Sequence, residues 1–196
     1  MSLRTEITRA DILPMADYGK MRAERRKAVT QIKKNRRVAV GPYATFYFEN
    51  YETMWHQVHE MLFIEKGGDP QITDELAAYN PLIPKGRELV ATVMIEIPDE
   101  QRRREVLARL GGIENTMSIT VGGERVAGVP EADIDRTTAA GKASSVQFVH
   151  FPFSPSAVAA FKKAGTRVTV EIEHPEYSHI AVLPEASREA LAKDFA

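Results

Sequence analysis

Glu52, His56, His59 and Glu60 stand at helical spacings in a segment that opens on the helix-capping residue Asn50. Residues three and four apart share a helix face, so His56 can reach Glu52, His59 or Glu60. Neutral imidazole beside carboxylate suits zinc, iron or manganese. These four residues are therefore the chain's candidate set for a divalent metal. One helix supplies two or three ligands at most, and di-iron bundles draw paired Glu-x-x-His motifs from separate helices. No helical Glu-x-x-His completes the set. Two nominal matches, Glu171 to His174 and Glu176 to His179, fall on a strand and a turn, where a spacing of three does not align side chains. The plainer reading is a boundary helix whose histidines cover Trp55 and Phe63, and no cofactor is predicted from it.

His174 and His179 flank Pro175-Glu-Tyr177 and can face each other across a turn, with Tyr177 as a hydrogen-bond donor. Proline there sets φ and tyrosine packs back on the sheet, which makes the turn structural. No nucleophile and base with a third orienting group is visible, so catalysis has no constellation to rest on.

Charge gives a second kind of candidate surface. Lys20, Arg22, Arg25, Arg26, Lys27, Lys33, Lys34, Arg36 and Arg37 crowd one segment against a single acid, Glu24. That segment carries +8, which leaves −9 on the rest of a chain whose total is −1. Such a face steers an acidic partner, or the acidic remainder of a second copy in a homo-oligomer. Nucleic-acid readers add stacking aromatics or a reading motif, and only Tyr18 and Tyr43 lie near enough to serve. Gly111-Gly112 and Gly122-Gly123 fit neither the P-loop nor the dinucleotide fingerprint. Nucleic acid is thus not the expected partner.

The elements that must position these residues follow from caps and periodicity. Thr8 and Asp11 mark a short capped turn. Pro14 suits the first turn of a long helix from Met15 to Asn35, whose apolar stripe is narrow: Tyr18, Met21, Ala28, Val29 and Ile32. Val38 to Val40 and Thr45 to Phe48 flank Gly41-Pro42 as a hairpin. The helix after Asn50 runs to Lys66, ends at Gly67-Gly68, and turns Trp55, Val58, Met61 and Leu62 inward. A further helix spans Ile72 to Tyr79.

From Glu88 the period becomes two. Ala91, Val93, Ile95 and Ile97 alternate with Thr92, Met94 and Glu96. A helix from Asp99 to Leu110 precedes Met117, Ile119 and Val121, and Gly122-Gly123 opens a hairpin. Residues 130–142 read as the longest loop, a mobile one. Val146 to Phe153 is apolar on both sides, hence a central strand. Ser154-Pro155 starts a short helix, Val168 to Glu173 alternates as a strand with one wet face, His179 to Leu183 returns beside it, and Pro184 opens a last helix. The fold class is α+β, with N-terminal helices and a mostly antiparallel sheet on which helices pack. One domain spans 1–196, with a mainly helical part (1–85) and a sheet part (86–196).

The length is sufficient for a core without metal or disulfide support, and 43% apolar with 27% charged residues is ordinary for a globular protein. The absence of cysteine excludes disulfides, thiolate catalysis and cysteine-ligated zinc or iron–sulfur clusters, and fits a reducing compartment. No apolar run reaches membrane-span length and no secretory h-region is evident, so a cytoplasmic location is expected.

Several segments in order resemble a bacterial family known as domain of unknown function 3501. They are Ile7-Thr-Arg-Ala-Asp-Ile-Leu-Pro14 with Tyr18 and Arg22, Arg37-Val-Ala-Val-Gly-Pro42, Phe48-Glu-Asn50 with Thr53, and Gln57-Val-His-Glu-Met61. Ala78-Tyr-Asn80, Leu82-Ile-Pro84, Glu88-Leu-Val-Ala-Thr92, Ile95-Glu-Ile97, Val146-Gln-Phe148 and His174-Pro-Glu-Tyr177 continue it across nearly the whole chain. The resemblance implies a small cytoplasmic protein encoded beside rubrerythrin-like proteins and iron–sulfur proteins of the heterodisulfide-reductase type. The resemblance implies no metal site on His56 and His59, so a site built on those two would be particular to this chain. The function expected is a non-enzymatic accessory protein docking on such a redox partner. A histidine–carboxylate metalloprotein and a nucleic-acid binder are the alternatives.

Overall fold

Gly41 turns the chain between β1 (Arg37–Val40) and β2 (Ala44–Phe48) with φ of 73°. A side chain there would also strike the His179 ring, its Cβ lying 2.4 Å from Cδ2; only glycine tolerates both conditions. The structure, a computed structural model, describes residues 3–131, 137–138 and 141–196. The hairpin seeds an antiparallel sheet that continues through β3 (Glu88–Ile95), β7 (Val146–Pro152) and the short β6 (Val129–Pro130) in the order β1-β2-β3-β7-β6. The expected sheet is in fact two. β4 (Met117–Val121), β5 (Glu124–Ala127), β8 (Val168–His174) and β9 (Tyr177–Val182) form the second, in the order β5-β4-β8-β9.

Gly128 carries the chain from one sheet to the other. A Cβ there would lie 2.7 Å from Val149 Cγ1 and 2.9 Å from the Met117 carbonyl oxygen, which accounts for glycine at the crossing. The main core lies between the sheets, where Phe46, Val93 and Phe151 meet Ile119, Val170 and Ile172. β3 departs from the alternation read in its sequence: Leu89 to Val93 are all buried, Thr92 included. Its second face is covered because Val90 packs with Tyr51, Met54, Val58 and Leu62 of α2 (Tyr51–Glu65). The molecule is thus layered as helix, sheet and sheet. β7 is flanked by β3 and by β6, which pairs only Val129 and Pro130 with it.

α1 (Met15–Lys34) buries only Tyr18 and Val29 and lies against α2. Asn50 caps α2, its Oδ1 accepting from Thr53 N at 3.0 Å while Thr53 Oγ1 accepts from Asn50 N, a reciprocal cap that fixes where the helix begins. Its end falls on Lys66 in the left-handed conformation (φ 57°). The inward face is Tyr51, Thr53, Met54, Val58, His59 and Leu62; the expected Trp55 and Met61 stand half-buried at its margins. α3 (Gly68–Tyr79) begins earlier than its apolar pattern predicts and buries no residue fully. α4 (Glu100–Leu107), α5 (Pro155–Lys162) and α6 (Glu185–Leu191) complete the chain. Most of the 130–142 loop lies outside the described residues. Within it, Thr137 bridges to Ala143, and Thr137 Oγ1 accepts from Gly112 N while donating to Glu114. Among the described residues no helix is long and apolar enough to cross a membrane.

Candidate functional site

The candidate residues converge where α1 crosses α2, around one buried phenol. Tyr18 is fully buried, in ring contact with Trp55, His59 and Phe63. Its hydroxyl donates to Glu60 Oε1 at 2.7 Å. A phenol has one proton, so His56 Nδ1, 3.0 Å from the same oxygen, must be the donor of that second bond. His56 Nε2 has no hydrogen-bond partner among the described residues. Burial, with Arg25, Arg26 and Lys33 nearby, outweighs the Glu60 carboxylate and lowers its pKa. Arg22 holds Glu60 with two parallel bonds of 2.8 Å. That fork lowers the carboxyl pKa to about 2, while burial and the same carboxylate raise that of Tyr18.

His59 is wholly internal. Leu13 N–H donates to its Nε2 at 3.1 Å, so Nδ1 carries the proton and donates to the Trp55 carbonyl at 2.7 Å. Burial lowers its pKa. Glu52 accepts from Arg25 Nη2 at 2.5 Å, and the Arg25 guanidinium also sits 4.7 Å over the Trp55 ring.

These bonds correct the metal-set expectation. Both nitrogens of His59 are occupied, Glu60 is held by Arg22 and Tyr18, and Glu52 Oε2 is paired with Arg25, so among the described residues only His56 Nε2 and Glu52 Oε1 of the set keep a free ligand atom. Among the described residues no group of three or more histidine, aspartate or glutamate side chains gathers to hold a metal. Nor do the strand histidines join them. His174 Nδ1 accepts from Glu176 N at 3.2 Å, leaving Nε2–H for the Gly111 carbonyl at 3.1 Å. His179 lies edge-on to Tyr177, ring centroids 4.5 Å apart. Both stand on the second sheet, and the first sheet separates them from α2. Tyr177 acts as the turn reading anticipates, though across the sandwich. Its hydroxyl donates to the Val40 carbonyl at 2.7 Å and accepts from the N–H of Tyr43 and of Ala44 at 2.9 Å.

The nine basic residues divide sharply. Arg36 is 3% exposed and belongs to the interior, which corrects its place on a docking surface. It ion-pairs with Asp194 and donates to the carbonyls of Phe48 and Glu49 at 2.9 Å. Arg22 and Arg25 are neutralised by α2 as described. Lys20 meets Asp17 at 2.8 Å in an exposed pair, and Arg37 lies 5.2 Å over the Tyr47 ring. Arg26, Lys27, Lys33 and Lys34 have no acidic partner among the described residues. Arg26, Lys27 and Lys34 are exposed and Lys33 half-buried.

Sequence reasoning placed Tyr18 in the apolar stripe and among the aromatics near the basic segment, and missed its hydroxyl as the hub of the cluster. The available signal was a tyrosine on a narrow stripe facing a helix that carries His56 and Glu60 four residues apart. Comparison with known proteins adds no activity. The profile of a family described as "Protein of unknown function (DUF3501)" matches residues 6–195. A search of curated proteins finds no match. Among solved structures, the chain is similar to a "novel protein of unknown function" from Burkholderia pseudomallei K96243, with 36% identity and a TM-score of 0.91, over 98% of this chain and 100% of that one.

Proposed function

The chain belongs to the DUF3501 family of proteins of unknown function, and from that premise we propose that it is a non-enzymatic docking protein whose α1 binds an acidic protein partner. One observation carries the reading: Arg26, Lys27, Lys33 and Lys34 stand together on a helix that buries only two residues, without an acid among the described residues to neutralise them. A helix kept for the core alone would turn more of its surface inward. Exposed charge of one sign adds association rate and specificity more than chemistry. The iron–sulfur or rubrerythrin-like proteins implied by the family resemblance are the partners of first choice.

The test is a salt titration of binding to such a partner, purified with nuclease, beside an acidic duplex DNA as comparator. Affinity for the protein should fall about tenfold or more between roughly 0.05 and 0.3 M salt, as screening shortens the reach of the charges. Salt-insensitive binding, or binding to the DNA in preference to every acidic protein offered, would overturn the proposal.

A further inference from the structure

Beside the docking helix lies a pocket that none of its charges explains. Met15 and Pro14 at the start of α1, Leu62 and Phe63 at the end of α2, and Ile72 on α3 line a cavity of about 410 Å³, with Lys66 its one charged wall. That size and lining fall within the range of binding pockets. Gly19 sets its geometry: a Cβ there would lie 3.1 Å from Phe63 Cε2, so glycine lets Phe63 settle onto α1 where it stacks under Arg22, 4.9 Å from the ring centre. Met15, Gly19, Arg22, Arg26 and Lys33 follow at i, i+4, i+7, i+11 and i+18, one continuous flank of the helix. That flank runs from the apolar pocket to two cations without an acid partner among the described residues. Arg26 lies about 10 Å and Lys33 about 20 Å beyond Gly19 at the helical rise.

We infer that the pocket and this flank are one recognition surface, which takes an amphipathic helical segment of an acidic protein. An apolar side chain of that segment enters the pocket between Met15, Phe63 and Ile72, and carboxylates about 11 and 18 helical residues along the segment, one heptad apart, meet Arg26 and Lys33. Charge complementarity selects this occupant. The cations are unpaired, and the flank alternates an apolar anchor site with charge in the manner of helix-in-groove recognition. A buried anchor at one end with a charged rim is also how binding energy concentrates in interfaces. The inference rests on the docking reading and adds the shape of what docks.

The experiment is selection of a displayed random-peptide library, long enough for about 20 helical residues (roughly 30 Å), against the full chain. The affinity of the selected peptide is then measured by fluorescence anisotropy. The variants are Ile72→Glu and Met15→Glu for the pocket, and Arg26→Glu with Lys33→Glu for the flank. Neither Met15 nor Ile72 is fully buried, and unchanged urea midpoints identify the folded variants to be read. The expected result is enrichment of peptides with an apolar anchor followed by acids at heptad spacing. Their affinity should drop at least about tenfold with either pocket variant and with the double charge reversal, and the salt dependence should survive the pocket changes. Loss with the charge reversal alone overturns this inference and leaves the docking reading standing. Loss with the pocket variants alone, or selected peptides without acids, overturns both.

Discussion

The sandwich and the helical layer treat their polar groups in opposite ways. In the sandwich and its margins the polar side chains that span distant segments are consumed by the fold, although Ser118 Oγ and Gln147 Oε1 lie buried without a hydrogen-bond partner among the described residues. Tyr177 closes the β1–β2 turn with three bonds, His174 uses both ring nitrogens, and Arg36 joins α1, β2 and the C-terminal segment. On the helical layer the consumption stops partway. Tyr18, Arg22 and Glu60 satisfy one another at the α1–α2 seam, Arg25 pairs with Glu52 and His59 bonds the backbone, whereas His56 Nε2 and four cations just outside the seam are left without a partner among the described residues. Polarity that the interior absorbs is architecture. Polarity held in place by architecture yet not absorbed by it is what a second molecule can use.

That contrast fails if the absorbed groups turn out to be dispensable. The largest effect is expected at Arg36. Arg36→Ala leaves Asp194 buried without its counter-charge and should cost about 3–5 kcal/mol in urea unfolding; a change near zero would mean that the pair is ornamental. Tyr177→Phe comes next. It removes one donor from the Val40 carbonyl and one acceptor from two N–H groups, and should cost about 1–3 kcal/mol.

Acid sharpens the comparison within the helical layer. The Glu60 carboxyl falls from 4.5 to about 2 on folding, so its contribution is complete above the unfolded value and is lost as the pH falls from 4.5 toward 2. Stability of the wild type should therefore decline through that window by about 2 kcal/mol more than that of Glu60→Gln, after allowance for the partial exposure of the Arg22 pair. Parallel acid curves for the two proteins would show that Glu60 holds nothing. The smallest effect belongs to the unabsorbed cations. Replacing Arg26, Lys27 and Lys34 together by alanine should move the unfolding free energy by no more than about 0.5 kcal/mol.

Much of this was legible in the residues. Asn50 as a cap, the glycine at the β1–β2 turn, and the period-two runs announce their elements, because caps, positive φ and alternation are local physics. The candidate site was legible only as a list. Helical spacing brings Glu52, His56 and Glu60 to one face, but it says nothing of what faces them. Arg22 and Arg25, one and two turns beyond Tyr18, claim the two carboxylates. The charge count failed in the same way: Arg36 reads as surface until Asp194, 158 residues away in sequence, reaches it. Thr92 reads as solvent-facing until α2 covers β3. In each case the deciding partner comes from a distant segment, which no local pattern can encode.

The central claim is that the cations on α1 serve a partner and not the fold. The most direct measurement is the affinity of an acidic partner for the chain with Arg26, Lys27, Lys33 and Lys34 reversed to glutamate, taken beside the unfolding midpoint of the same variant. The account predicts a midpoint close to that of the wild type and an affinity reduced by at least about a hundredfold, since like charges now oppose the docking. Undiminished affinity in a folded variant would contradict it.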